Sequence, residues 1–139
     1  MTEQETDKNK EKCNLTTFTV PSALEAIQKN ITISTSDATK ASKQEIIKQA
    51  FKFHSEGKTS EAAKLYQYFI NQGFKDHRVF SNYGLILKSL GKLKEAGLST
   101  REAIKLQPDF AEAHYNLGII LKSIGKLQDA ELSYRKAIE

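Results

Sequence analysis

The sequence predicts an all-α fold in which antiparallel helix pairs stack into a solenoid, preceded by a polar amino-terminal segment. The first observation is that Gly57, Gly91 and Gly125 recur 34 residues apart. The second is that two further sets of small residues keep the same spacing: Ala50, Gly84 and Gly118, and Ala62, Ala96 and Ala130. Small residues at one fixed period indicate a repeat array, and no strand pattern competes with it.

Three units are predicted, at residues 43–76, 77–110 and 111–139, the last of them incomplete. Each is predicted to be two helices, because apolar residues of the third unit follow helical spacing up to Ile124 and again from Leu127. A glycine between the two helices supplies a left-handed turn. The other recurring small residues are expected where two helices cross closely, and Pro108 is expected to separate the second and third units.

Residues 1–42 differ in composition from the rest of the chain. They hold none of the 7 glycines and, in Phe18, one of the 12 aromatic residues. Such a segment buries too little apolar surface to offset its ordering entropy. We therefore predict a largely disordered polar tail over residues 1–14, one candidate short helix over residues 21–31, and a linker over residues 32–42.

The composition also excludes several classes of protein. No apolar run is long enough for a membrane span, and no apolar stretch follows the charged amino terminus as a secretory signal requires. The single cysteine, Cys13, cannot form an internal disulfide. A net charge of +4 without blocks of like charge gives no reason to expect a nucleic acid partner, so we expect a cytoplasmic protein.

The repeated residues resemble those of the tetratricopeptide repeat (TPR) family. Its pattern is matched in the third unit by His114, Leu117, Gly118, Gly125, Ala130, Tyr134 and Ala137, and in the second by Phe80, Tyr83, Gly84, Gly91, Ala96, Thr100, Ala103 and Pro108. The first unit is degenerate, with Ile46, Gln49, Ala50, Gly57, Ala62, Tyr66 and Phe69, and with Phe74 at the proline position. The resemblance covers residues 43–139 and implies a right-handed superhelix with a concave face.

In this family the first helix of each unit lines the concave face, which binds peptides. Carried over by position, the resemblance implies a groove with an apolar floor, a basic row and two stacked asparagines. Its candidate peptide-binding residues are Lys48, Phe51, His54, Asn82, Leu85, Lys88, Tyr115, Asn116, Ile119 and Lys122. Asparagine amides can bond a peptide backbone, and the lysines favour an acidic or phosphorylated segment. The alternative is that the lysines form a solvated face and the asparagines recur only through duplication.

Two subtypes of the family can be compared with this groove. Arrays that clamp the carboxylate tail of heat-shock chaperones use five positions that are occupied here by Ile47, Phe51, Asn82, Glu112 and Asn116. One residue in five matches, and Glu112 reverses a charge, so we do not expect chaperone-tail binding. The pair Asn82 and Asn116 is more similar to the asparagine ladder of bacterial arrays of the kind also fused to O-GlcNAc-type transferases, although Lys48 interrupts it.

No pattern of catalytic, cofactor or metal residues is found. The three histidines lack metal-ligand spacing, and there is no phosphate-binding glycine loop and no nucleophile beside a base. We therefore predict no enzyme activity, no cofactor and no metal.

The last unit ends at Glu139, before its proline and before any capping helix. Terminal repeats normally carry a polar outer face, yet Tyr134 and Ala137 would lie uncovered. We expect either that the chain is the front of a longer protein, which we favour, or that this end docks another chain.

The sequence thus predicts a non-catalytic protein-protein interaction module that binds an extended peptide in the concave groove. The alternatives are the substrate-recruiting amino-terminal part of a larger bacterial enzyme, such as a glycosyltransferase, and a structural scaffold that self-associates through the uncapped end.

Overall fold

The computed structural model describes residues 35–139, with side chains from residue 42 onward. Six helices follow one another without a strand in this part of the chain. They are α1 (Thr35–Ser55), α2 (Thr59–Asn71), α3 (His77–Ser89), α4 (Leu93–Leu106), α5 (Ala111–Ile124) and α6 (Leu127–Ile138). The predicted tail and the candidate helix over residues 21–31 lie outside the described residues.

The helices pack as three antiparallel pairs, α1 with α2, α3 with α4 and α5 with α6, and successive pairs stack on one another. This is the predicted array of three units. The first helices, α1, α3 and α5, line the inner face of the superhelix, and the second helices form its outer face. The all-α solenoid that the period predicts is therefore confirmed.

The glycines between paired helices adopt the conformation that the sequence predicts. Gly57, Gly91 and Gly125 have φ angles of +72°, +78° and +91°, a region that residues with a β-carbon rarely adopt. The backbone amide after each glycine bonds back into the helix that has just ended, as Lys126 does to the carbonyl of Leu121 at 2.9 Å. Each unit can therefore reverse direction within a very short connection.

The small residues inside the helices lie where the two helices of a pair cross. A β-carbon on Gly118 would lie 2.5 Å from the ring of Tyr134, and one on Gly84 would overlap the hydroxyl of Thr100. Ala50, Ala62 and Ala96 are fully buried. The predicted close crossing is thus confirmed, and it sets the spacing of the pairs.

The largest buried side chains lie in the first unit. Ile46, Leu65, Tyr66 and Phe69 form a continuous core that extends to Val79 of α3. In the third unit, α5 buries Leu117, Ile120 and Leu121, but α6 buries only the small residues Ala130 and Ser133. The largest buried side chains are therefore concentrated at the amino-terminal end of the array.

The start of α1 differs from the prediction. The helix begins at Thr35, so it includes most of the segment over residues 32–42 that was predicted to be a linker. The stretch TSDATKAS contains neither glycine nor proline, and its composition is compatible with a helix once the following turns are anchored in the core. The prediction of a linker took the polar composition of this stretch as a sign that the helix had not yet begun.

A concave groove lined by the first helix of each pair

The three inner helices face one another across a shared groove. Asn116 on α5 donates its amide hydrogen to Ser81 Oγ on α3 at 2.9 Å. The Arg78 guanidinium on α3 lies over the Phe51 ring on α1, at 5.4 Å from its centroid. These contacts tie α3 to each of its inner neighbours and define one continuous surface across the three units.

Most of the predicted groove residues reach this surface. Lys48, Tyr115 and Lys122 are exposed. A further six are half-buried: Phe51, His54, Asn82, Leu85, Lys88 and Ile119. The apolar members of this set come one from each inner helix, and so do the three lysines.

Asn116 differs from its predicted role. It is only 3% exposed, and its amide nitrogen already donates to Ser81, so it links two helices instead of presenting that donor to a ligand. The reason is the hydroxyl at residue 81, which lies opposite it and is itself fully buried. The predicted pair of stacked asparagines is therefore reduced to Asn82, a half-exposed amide whose side chain lies beside the Tyr66 hydroxyl.

The three groove lysines carry charge that no carboxylate neutralises at close range. Four ion pairs are present among residues 42–139, and none of them involves Lys48, Lys88 or Lys122. Arg78, by contrast, is held by Asp76 at 2.9 Å and is covered on one side by Phe51. The three lysines are thus available to an anionic ligand, whereas the charge of Arg78 is largely satisfied.

A polar cluster lies at the amino-terminal side of the groove, where His54 Nδ1 is 3.2 Å from the Tyr66 hydroxyl. Burial raises the pKa of Tyr66 well above its ordinary value, so the hydroxyl keeps its proton. Burial also lowers the pKa of His54, and the Glu112 carboxylate opposes this effect only in part. His54 is therefore neutral at pH 7 and adds no charge to the basic row that it was predicted to share with Lys88 and Lys122.

Glu112 and Arg78 are groove residues that the predicted set left out. The Glu112 carboxylate on α5 acts to raise the pKa of His54 on α1. Arg78 stands at the corresponding position of the second unit. Both residues stand at the same position of their repeat units. The resemblance places that position in the groove, so the sequence did carry a signal for both residues.

The histidines are separate from one another. The His77 ring packs edge-on against Phe110 at 4.7 Å, and His114 Nε2 donates to the Pro108 carbonyl at 2.7 Å. Within residues 42–139, no group of three or more His, Cys, Asp or Glu side chains is arranged to hold a metal ion. None of the helices described is long and apolar enough to cross a bilayer.

Comparison with known proteins agrees with this architecture. A family model described as TPR repeat matches residues 84–125. No curated protein is similar enough in sequence to match the chain.

Solved structures of similar fold are numerous. The second TPR domain of Spaghetti (RPAP3) bound to an HSP90 peptide is 22% identical, with 82% of this chain and 96% of that chain covered and a TM-score of 0.63. PcrH in complex with the chaperone-binding region of PopB is 20% identical, with 76% and 82% covered and a TM-score of 0.64. The translocator chaperone SycD of Yersinia enterocolitica is 20% identical, with 73% and 76% covered and a TM-score of 0.65. The described part of the chain therefore has the fold of a three-unit tetratricopeptide repeat array.

Proposed function

We propose that this protein is a non-catalytic interaction module whose groove binds an extended, acidic peptide segment of a protein partner. The observation that carries the proposal is a set of three groove lysines, one from each inner helix, that form no ion pair within residues 42–139. Lys88 and Lys122 share one repeat position, and Lys48 stands six residues earlier in the repeat. Phe51, Leu85 and Ile119 lie on the same three helices as partly exposed apolar side chains.

An extended segment fits this arrangement better than a compact ligand does. The lysines are distributed along the array instead of converging on one point, so a ligand that neutralises all three must cross successive units. Acidic side chains would pair with the lysines while apolar ones contact the floor. Asn82, which offers both a donor and an acceptor, can bond the peptide backbone whatever its side chains are.

The structural neighbours support the class of ligand. The second TPR domain of Spaghetti holds the peptide SRMEEVD of HSP90, and PcrH holds the chaperone-binding region of PopB. Both are peptide segments of another protein. The clamp positions of chaperone-tail binders are occupied here by residues that include Ile47, Phe51 and Glu112, so we propose a different acidic segment as the ligand.

The test compares synthetic peptides of equal length, without aromatic residues and rich in Asp and Glu, in Asn and Gln, or in Lys. The groove variant carries Lys48→Glu, Lys88→Glu and Lys122→Glu. A matched control reverses the same number of exposed, unpaired lysines on or next to the outer helices, Lys64, Lys94 and Lys126.

We expect the acidic peptide to bind the native chain and the control, and to lose binding to the groove variant by at least about tenfold. Its affinity should also fall as salt is added. Equal affinity for the neutral peptide would contradict the acidic preference. Equal binding by the groove variant and the control would contradict the groove.

The carboxyl-terminal face favours a second function, self-association. Tyr115 is 53% exposed and Ile138 is 86% exposed, whereas the corresponding Ser81 of the second unit is fully buried and Ile104 is half-buried. Together with Tyr134 and other residues they line an open depression of about 690 Å³. The next pair covers these positions in the second unit, and we propose that a second copy covers them on α5 and α6.

This second proposal is tested by mass measured against concentration. We expect the native chain to gain mass as its concentration rises and Ile138→Asp to stay monomeric, because a charge on that face opposes its burial. Lys136→Asp on the same helix is the control that keeps the apolar face. A mass that is independent of concentration in the native chain would contradict self-association.

A further inference from the structure

The outer surface of the array carries a second depression, on the opposite side from the groove. It lies between α4 and α6 and has a volume of about 340 Å³. Its floor is formed by Ile104, Leu117 and Leu132, and three cationic side chains stand at its rim: Arg101, Lys105 and Lys136. Neither the peptide groove nor the carboxyl-terminal face includes these residues.

The repeat itself explains why the depression exists. At the junction of the first and second units, the ring of Tyr83 fills the corresponding space, and its hydroxyl donates to Gln67 Oε1 at 2.5 Å. Tyr83 packs there against two core clusters. At the junction of the second and third units, Leu117 stands in place of Tyr83 and Arg101 in place of Gln67. The side chain at this position is therefore shorter and has no ring that could reach across the junction as Tyr83 does.

A second aromatic ring is replaced at the same junction. His114 stands where the second unit has Phe80. Its Nε2 donates to the Pro108 carbonyl at 2.7 Å, which ties the imidazole to the turn between the units. The depression is thus bounded by a fixed histidine on one side and by the leucines on the other.

The charge around this depression has one sign. No acidic residue lines it, and neither Arg101 nor Lys136 forms an ion pair within residues 42–139. Lys105 pairs with Glu102 and contributes less. The Ser133 hydroxyl donates its hydrogen to the Asp129 carbonyl oxygen at 3.0 Å. What remains is an apolar hollow between two unpaired cations.

We propose that this depression is a second docking site, which accepts one aromatic side chain from an acidic segment of a protein partner. The ring takes the place that Tyr83 occupies at the preceding junction, and flanking carboxylates pair with Arg101 and Lys136. Occupation of this site leaves the concave groove free, so one partner could contact both faces or two partners could bind at once.

The experiment titrates the isotope-labelled full chain with two short peptides and follows backbone amide shifts. One peptide has a single phenylalanine flanked by Asp and Glu, and the other has alanine in its place. Leu117→Tyr fills the depression as Tyr83 does, and Arg101→Glu with Lys136→Glu reverses the rim. The control variant carries Lys64→Glu and Lys94→Glu, which change the net charge by the same amount as the rim variant.

We expect the phenylalanine peptide to shift the amides around Leu117 and Leu132 saturably. Its affinity should be at least about tenfold lower for the Leu117→Tyr variant and for the variant with Arg101→Glu and Lys136→Glu. Its affinity for the control variant should equal that for the native chain. The rim variant alters only exposed side chains, so its result stands even if Leu117→Tyr disturbs folding. Equal binding by the alanine peptide, no saturable shift at this site, or unchanged binding by the rim variant would overturn the proposal. Failure here leaves the groove proposal intact, because that test uses peptides without aromatic residues and different lysines.

Discussion

Single residues set the geometry of this array by how little space they occupy. Gly84 and Gly118 allow two helices to approach until a β-carbon would collide with Thr100 or Tyr134. Gly97 is also helical and buried, but a β-carbon there would meet mainly the flexible end of Arg101, at 3.2 Å. The same residue type therefore has two different consequences, which depend on what lies opposite.

This difference predicts opposite effects of the same substitution. Gly84→Ala should destabilise the chain, because overpacking against the buried Thr100 costs about 1–3 kcal/mol and outweighs the gain in helix propensity. Gly97→Ala should be neutral or stabilising by up to about 1 kcal/mol, because the Arg101 side chain can move aside. Urea unfolding of both variants measures the two effects. A Gly84→Ala chain as stable as the native one would contradict the close crossing.

The titration of His54 tests whether the first and third units face each other. Its pKa lies below the ordinary value because burial disfavours the imidazolium ion, while the Glu112 carboxylate favours it. Since the unfolded chain then binds the proton more readily, the His54 contribution to stability is present at neutral pH and is lost as the pH falls from about 6.5 through the folded-state pKa.

We expect nuclear magnetic resonance to place the His54 midpoint below that of an unfolded peptide, and lower still in Glu112→Gln. The Glu131→Gln variant, which changes a carboxylate on α6, is the control and should leave the midpoint unchanged. A midpoint that does not respond to Glu112→Gln would show that this carboxylate does not face His54.

At the scale of helices, the amino-terminal cap of α3 is the clearest local device. The Asp76 side chain accepts a hydrogen bond from the Arg78 backbone amide at 2.9 Å. The Arg78 guanidinium also donates to the same carboxylate. Burial acts to raise the pKa of Asp76, but these hydrogen bonds and the charge of Arg78 hold it below its ordinary value. The charged carboxylate therefore stabilises the folded state.

Removal of this cap gives a prediction about stability and acid. Asp76→Ala should lose about 1 kcal/mol, and Asp76→Asn, which can still cap the helix, should lose less. The ionised cap contributes fully above the unfolded pKa of about 3.9, and that contribution is lost as the pH falls through the lowered folded pKa. Urea unfolding from neutral to acidic pH measures this, and a native chain that loses no more stability to acid than Asp76→Ala would contradict the account.

The sequence predicted the helices better than it predicted their contacts. Gly57, Gly91 and Gly125 mark the turns within the pairs because a left-handed turn leaves a direct signal in the residue type. The start of α1 was missed because the polar stretch from Thr35 resembles a linker until the helix behind it anchors it. Asn116 was placed in the groove by its repeat position, but Ser81 opposite it decides what its amide does. Such pairings join distant parts of the chain and are not encoded by spacing.

Over the whole molecule, the array is asymmetric from end to end. In α2, Leu65, Tyr66 and Phe69 are fully buried, whereas α6 exposes Leu127, Leu132 and Ile138. In a solenoid each unit is stabilised by itself and by its neighbours alone, so the end with the smaller core opens first.

Hydrogen exchange should show this order directly. We expect the amides of α6 to exchange well before those of α2, and Ile138→Asp to leave the protection of α2 unchanged. Exchange of both helices at one common rate would indicate that the array unfolds as a single cooperative block.

The groove depends on all three units at once, so its most direct test is the footprint of an acidic peptide without aromatic residues on the intact chain. We predict that amide shifts on binding cluster along α1, α3 and α5 around Lys48, Lys88 and Lys122, and that they vanish when these three lysines are reversed. Shifts confined to the outer helices or to the carboxyl-terminal face would contradict peptide binding in the concave groove.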